Sequence, residues 1–148
     1  MSVQKSMAPS HRQPLNRQGV LRISGETLRI GTINVGTMRE RSEEVAEMLE
    51  RRRVDICALQ EVRMGEKGAK ILNGKDSRYK IWWNGDSGVI GGVAVMIHES
   101  WVNNVIETVR KDCEIMKVKL VCGKRIVHFF SVYSPQQGRQ NEEKEEIR

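Results

Sequence analysis

"VDICALQEVR", residues 54–63, begins as an almost unbroken apolar run and then places an amide and a carboxylate, Gln60 and Glu61, side by side. A strand that is apolar on both faces is typical of a sheet that is covered on both sides. Polar side chains at its carboxyl end face the crevice in which α/β sheets bind ligands. The stretch therefore predicts a buried central strand and marks Glu61 as a candidate site residue.

The residues before this strand predict a βαβ-like unit. The segment 27–35, TLRIGTINV, alternates between two faces in the manner of a strand. Thr37 and Glu40 have the spacing of a capping box, and apolar residues three and four apart then predict an amphipathic helix over 38–53. Residues 1–27, rich in Lys and Arg, are predicted to be a disordered basic lead-in.

The residues after the central strand predict further strands that follow one another without helices. We expect one mixed sheet, covered by the helix on one face, with strands near 28–34, 54–60, 79–84, 91–98, 103–110, 114–121 and 125–133. The pair 79–84 and 91–98 is predicted to form a hairpin around Gly85–Gly88. Residues 62–78 are expected to be a loop, and NEEKEEIR (141–148) looks like the beginning of a helix. Since 125–133 is apolar on both faces, this strand is predicted to be covered on both sides.

Composition favours a single globular domain. The chain has 148 residues, a formal net charge of +6, and no apolar run of the length of about 18 residues that a membrane-spanning helix requires. No membrane association is therefore predicted. Cys57, Cys113 and Cys122 are an odd set without metal-ligand spacing, which is typical of reduced thiols in an intracellular protein, either nuclear or cytoplasmic. The positive charge permits a polyanionic partner.

Three predicted strands end in the same way. Asn34, the pair Gln60 and Glu61, and Tyr133 each come at a carboxyl end. If these ends share one edge of the sheet, rigid elements hold all the side chains at one crevice, and we expect Asn34, Glu61 and Tyr133 to lie within about 10 Å of one another. His98 and His128 are expected to be structural.

Four motifs, in this order along the chain, resemble the amino-terminal half of the endonuclease/exonuclease/phosphatase superfamily: LRIGTINVGT (28–37), DICALQEVR (55–63), GGVAVMI (91–97) and SVYSPQQGR (131–139). The likeness is greatest to the apurinic/apyrimidinic-type endonuclease domains of non-LTR retrotransposons. The resemblance implies an α/β (α+β) fold, a four-layer sandwich of two mixed sheets with helices outside. Residues 28–148 would form about half of it, one mixed sheet with a covering helix. The apolar inner face of that sheet would then be exposed, and a protein partner could cover it.

The resemblance also implies a chemistry, the divalent-metal-dependent hydrolysis of phosphate esters. It gives Glu61 the role of metal ligand for Mg²⁺ or Mn²⁺, Asn34 that of a second metal-positioning group, and Tyr133 that of a contact to the scissile phosphate. Gln136 and Arg139 would bind the substrate, with DNA as the expected partner. Carboxylate oxygen suits Mg²⁺, and the arginine fork suits phosphate.

The sequence departs from the family pattern at several points. Gly36 stands where repair enzymes of the superfamily carry an aspartate, and the sequence contains neither the Asp-x-Asn nor the Ser-Asp-His motif of the family's carboxyl half. We therefore expect this chain alone not to cleave DNA at a useful rate. Three hypotheses about the function stay open: a divergent endonuclease-type domain, a catalytically dead, domesticated remnant that binds nucleic acid or protein, and a phosphatase-like enzyme.

Overall fold

The computed structural model describes residues 17–85, 91–112 and 114–133. Within these ranges the chain forms two sheets and two helices. The elements are β1 Arg17–Ile23, β2 Glu26–Asn34, α1 Ser42–Arg51, β3 Ile56–Gln60, β4 Gly68–Asn73, β5 Arg78–Asn84, β6 Val93–His98, α2 Glu99–Val102, β7 Val105–Asp112, β8 Ile115–Cys122 and β9 Arg125–Val132. Neither helix in this part of the chain is long and apolar enough to cross a bilayer.

The first sheet has the strand order β1-β2-β3-β6-β5-β4 and is mixed. Strands β2 and β3 are parallel, because the crossover through α1 returns the chain in the same direction, and the other pairs are antiparallel. The predicted βαβ unit and the β5–β6 hairpin pairing are therefore confirmed. The residues of the hairpin turn after Gly85, and the segment 141–148, lie outside the described residues.

Helix α1 packs on one face of this sheet. Its buried side chains are Val45, Ala46 and Leu49, which match the apolar rhythm that predicts the helix. The helix is shorter than predicted, and the predicted capping box is wrong. Arg41 occupies the N-cap position without a side-chain cap, and the Thr37 hydroxyl accepts a hydrogen bond from the Arg39 N–H instead.

The second sheet, β7-β8-β9, is antiparallel and packs on the opposite face of the first. Met116, Val118 and Leu120 alternate along β8 and are fully buried against Ile56 and Val95 of the first sheet. Strand β3 thus has one apolar face toward α1 and one toward the second sheet, which confirms it as a buried central strand. The layers are helix, sheet and sheet, and the predicted α/β class is confirmed as a partial sandwich.

Two predictions about the sheets are wrong. The strands divide into two sheets rather than one, because a period of two shows which face a side chain takes but not which strands pair. The inner face of the first sheet is also not exposed as predicted, since β8 and β9 cover its central strands. Exposed apolar side chains lie instead on the outer face of β9, where Ile126, Phe130 and Val132 are 51%, 54% and 53% accessible. The prediction that β9 is covered on both sides is therefore wrong for the described residues.

Two segments predicted to lack strands contain them. Strand β1 and the turn at Ser24–Gly25 lie within the predicted lead-in, whose first 16 residues are outside the described ranges. Strand β4 lies within the predicted loop 62–78. Both are edge strands with mostly exposed side chains, so neither needs the apolar alternation by which a half-buried strand is recognised.

Candidate active site between the ends of the two sheets

The parallel pairing of β2 and β3 brings their carboxyl ends to one edge. Asn34 and Gln60 are register partners, and the Val35 N–H donates to the Gln60 carbonyl at 3.0 Å. Glu61 follows directly. Two of the predicted strand ends therefore meet because the crossover through α1 makes β2 and β3 run in the same direction.

The third strand end arrives from the second sheet. The Tyr133 hydroxyl donates a hydrogen bond to Glu61 Oε2 at 2.9 Å, although the two residues lie 72 positions apart. Strand β9 is fixed over β3 by Ser131, whose fully buried hydroxyl donates to the Leu59 carbonyl at 3.0 Å. This bond holds the end of β9 against the end of β3. Tyr133 and Glu61, which directly follow these two strands, therefore lie side by side.

Burial raises the pKa of the Tyr133 phenol, and its hydrogen bond to Glu61 and the charge of that carboxylate raise the pKa further. Arg63 opposes the shift, and Glu114 adds to it. The neutral phenol is therefore favoured, and it acts as the hydrogen-bond donor to Glu61.

Asn34 lies one strand away from this pair. Its Oδ1 accepts a hydrogen bond from the Gly36 N–H at 3.2 Å, and Gly36 has a positive φ of 78°. The amide side chain thus shapes the turn that leaves β2, a common role for asparagine. Gln60, the amide of the opening motif, hydrogen-bonds through Nε2 to the Thr32 hydroxyl at 3.2 Å and serves to join β2 and β3.

The donor set can be compared with the needs of a divalent cation. Among the residues that the structure describes, no group of three or more His, Cys, Asp or Glu side chains lies close enough together to hold a metal ion. Mg²⁺, however, is often held by one or two carboxylates together with waters and substrate phosphate oxygens. Glu61 supplies a carboxylate of this kind, and Tyr133 engages one of its two oxygens. The described residues therefore offer a divalent cation one carboxylate ligand here, Glu61.

The remaining predicted residues fall elsewhere. Gln136 and Arg139 lie outside the described residues. His98 is at the opposite end of the sheet, where its Nδ1 accepts from the Ser100 N–H at 3.1 Å and its ring meets Tyr79 edge-on; its predicted structural role is confirmed. His128 is exposed in the middle of β9.

Sequence reasoning missed Ser131 and the pair Gly91 and Gly92. A single serine in an apolar strand shows no pattern, although its place two residues before Tyr133 puts it on the same face of β9. The two glycines come directly before a strand and look like an ordinary turn. Their contacts, described below, depend on residues about thirty positions earlier in the chain and cannot be seen in the sequence.

Comparison with known proteins supplies a family. Residues 31–142 match the Endonuclease/Exonuclease/phosphatase family, a range that covers well over half of the chain and includes Asn34, Glu61 and Tyr133. No curated protein matches the sequence significantly.

Proposed function

The chain belongs to the endonuclease/exonuclease/phosphatase family, and on that premise we propose that its site is the metal- and phosphate-binding corner of a divalent-metal-dependent phosphodiesterase that acts on DNA. Family members hydrolyse phosphate esters and generally use divalent metals. The observation that supports the proposal best is the hydrogen bond between Glu61 and Tyr133, which joins the residues that follow β3 and β9, strands of different sheets.

Each predicted residue has a role in this proposal. Glu61 would hold Mg²⁺ or Mn²⁺ through its carboxylate, with Asn34 in support on the neighbouring strand. When bound, the cation supplies charge stabilisation at the phosphoryl oxygen and the leaving oxygen. Tyr133 would keep one carboxylate oxygen oriented and would contact the phosphate, as the resemblance implies. Gln136 and Arg139, which follow Tyr133 closely in sequence, would contact the DNA backbone.

We expect cleavage by this chain alone to be slow. Catalytic groups that act as a unit are strongly non-additive, so a metal corner without its water-activating partner keeps little of the rate. The histidines of the described residues do not supply that partner, since His98 lies at the far end of the sheet and His128 stands exposed on β9. A single carboxylate also predicts weak metal affinity.

The test is nicking of supercoiled plasmid with Mg²⁺ or Mn²⁺, for the chain and for a fusion that adds the carboxyl half of a close family member. Each is measured beside its Glu61→Gln variant, and Glu47→Gln on the exposed face of α1 is the control. The proposal expects nicking by the fusion that requires both metal and Glu61, with little by the chain alone. Nicking that survives Glu61→Gln would contradict it.

A second function is supported by the net charge of +6 and by the single carboxylate of the site: a non-catalytic module that binds nucleic acid. Fluorescence anisotropy with a labelled DNA duplex separates the two. Binding that persists in EDTA and is unchanged by Glu61→Gln, together with a fusion that does not nick, would favour the non-catalytic module. Hydrolysis of a soluble phosphomonoester in preference to DNA would instead favour the phosphatase-like function.

We also propose a retrotransposon origin. The four motifs resemble the apurinic/apyrimidinic-type endonuclease domains of non-LTR retrotransposons, and more closely the retrotransposon-derived proteins called craniofacial development protein 2. Sequencing of the genomic flanks tests this origin. Remnants of a reverse-transcriptase reading frame beside the gene would support it, whereas an exon structure shared with cellular repair nucleases would contradict it.

A further inference from the structure

The backbone that follows β3 is in an unusual conformation. Glu61 and Arg63 have φ values of 59° and 52°, in the left-handed region. For residues other than glycine this conformation costs about 1–2 kcal/mol each. It persists only where the surrounding structure enforces it, and it is concentrated at functional sites.

The direction of the Glu61 side chain depends on this conformation. Side chains alternate along a strand, and Cys57 and Leu59 of β3 face the helix α1. A regular extension of β3 would place the Glu61 side chain on that same helix-facing side. The left-handed turn redirects it to the side of the second sheet, where the carboxylate meets Tyr133.

Two neighbouring glycines hold the turn in place. The N–H groups of Glu61 and Val62 both donate to the Gly92 carbonyl, at 2.9 and 3.3 Å, and the Arg63 N–H donates to the Gly91 carbonyl at 2.9 Å. Each left-handed residue is therefore tied through its N–H to one glycine carbonyl. Both glycines are buried, so these bonds are shielded from water.

Both positions require glycine. Gly91 and Gly92 have φ values of 78° and 96°, which other residues adopt at a cost. A Cβ on Gly92 would lie 3.2 Å from the Val62 side chain, and a Cβ on Gly91 would lie 3.7 Å from the Tyr133 ring. Gly91 therefore lies beside both partners of the site: its carbonyl binds the Arg63 N–H, two residues after Glu61, and a side chain at its position would contact the Tyr133 ring.

We propose that Gly91 and Gly92 form a glycine clamp, a pair of positioning residues whose carbonyls hold the left-handed turn that directs Glu61 toward the second sheet and Tyr133. The clamp assembles the Glu61–Tyr133 pair whether or not a metal is present. Its consequence for metal binding rests on the proposed function, and its structural action does not.

The test compares Gly91→Ala with Gly25→Ala. Gly25 has a similar φ of 81° in the β1–β2 turn and nothing within 4 Å of an added Cβ, so it controls for the backbone strain alone. The first readout is the hydrogen exchange of the Glu61 and Arg63 amides. The second is the tyrosine ¹³Cζ shift in protein labelled at tyrosine, with Glu61→Gln as the reference for a broken bond. The third is the dissociation constant for Mn²⁺.

In Gly91→Ala we expect the Arg63 amide to lose protection and the Tyr133 signal to move to its position in Glu61→Gln. Mn²⁺ binding should weaken by about tenfold to hundredfold, the usual effect of removing a group that orients a metal ligand. Gly25→Ala should leave all three unchanged. If Gly91→Ala does not fold, Gly91→Asn replaces it, because asparagine tolerates a positive φ better than alanine; its side chain should still displace the Tyr133 ring and shift its signal.

Wild-type protection and an unshifted Tyr133 signal in the Gly91 variant that folds would overturn the clamp, as would an equal response in Gly25→Ala. If the wild-type protein shows no binding of Mn²⁺, the proposed metal site fails by itself. The amide exchange and the Tyr133 shift would still decide whether the clamp assembles the pair.

Discussion

The two tyrosines of the chain, Tyr79 and Tyr133, lie at opposite ends of the sandwich and use their hydroxyls differently. Tyr79 is 1% accessible, and its hydroxyl donates to the Val54 carbonyl at 2.7 Å. Tyr133 is only partly buried, and its hydroxyl donates to a side-chain carboxylate, that of Glu61. The first bond ends on the backbone, and the second ends on a half-buried side-chain carboxylate.

The carboxylates near each tyrosine show the same contrast. At the Tyr79 end, Asp55 accepts from the Arg29 N–H, and Glu50 accepts from the N–H groups of Lys75 and Asp76 and from the Ser77 hydroxyl, all at 2.7–2.8 Å. These acids hold turns and strands together. Glu61 has a left-handed backbone and a phenol as its partner, an arrangement that adds little to the frame. The comparison predicts that the Tyr79 end contributes more to stability than the Glu61 end, at which we propose the chemistry.

Truncation of the two tyrosines should give the largest difference. Tyr79→Ala removes a fully buried ring, so we expect a loss of about 3–5 kcal/mol in the free energy of unfolding. Tyr133→Ala removes a partly exposed ring and should cost about 1 kcal/mol. Urea unfolding followed by tryptophan fluorescence measures both. Equal losses would show that the site end contributes to the fold as much as the other end does.

Removal of the hydroxyls alone sharpens the comparison. Tyr79→Phe leaves the buried Val54 carbonyl without its donor, at a cost of about 1–3 kcal/mol. Tyr133→Phe should cost less than about 1 kcal/mol, because water can replace the phenol at Glu61. The order of the two effects should reverse for activity. In the fusion used for plasmid nicking, Tyr133→Phe should lower the nicking rate more than Tyr79→Phe does. A fusion in which Tyr79→Phe is the more harmful to nicking at a temperature where both variants are folded would break the assignment.

Alkaline titration provides a smaller effect. The folded-state pKa of Tyr133 is raised, first by burial and then by Glu61, so its contribution to stability is complete below the ordinary tyrosine pKa and is lost as pH rises through the folded value. In a Tyr79→Phe background, absorbance of the phenolate follows Tyr133 alone. Glu61→Gln should lower this pKa, whereas Glu47→Gln should leave it in place.

Acidification should weaken the hydrogen bonds at the Tyr79 end of the sandwich. Burial raises the pKa of Glu50, but the hydrogen bonds from Lys75, Asp76 and Ser77 outweigh it, and the net shift is downward. A depressed pKa stabilises the fold above the unfolded value and loses that effect as pH falls through the folded value. We therefore expect the protection factors of the Lys75 and Asp76 amides, taken relative to the intrinsic exchange rate at each pH, to fall on acidification, and Glu50→Gln to remove this pH dependence. Unchanged protection in Glu50→Gln would show that the turn holds without the carboxylate.

The parts of this architecture that the sequence predicts are those with a strong local pattern. The apolar run before Glu61 predicts β3 correctly because both faces of β3 are buried. The apolar residues of 125–133 predict the strand β9 but not its surroundings, because only one face of β9 packs on the first sheet. Strands β1 and β4 could not be predicted from the sequence, because an edge strand with exposed side chains needs no apolar pattern. The glycine clamp could not be predicted from the sequence. Its action depends on the glycine carbonyls that bind the N–H groups at and after Glu61, and the pairing of β3 with β6 brings these groups together.

The most direct test of the division between the two ends uses Mn²⁺ as a paramagnetic probe of both tyrosines at once. In protein labelled with ¹³C at tyrosine, metal bound at Glu61 should broaden the ring signals of Tyr133 at substoichiometric Mn²⁺ and leave those of Tyr79 sharp. Glu61→Gln should abolish the broadening. Tyr133 and Tyr79 signals that stay equally sharp, or broadening of Tyr133 that survives Glu61→Gln, would contradict the claim that this end of the sandwich is the metal-binding corner.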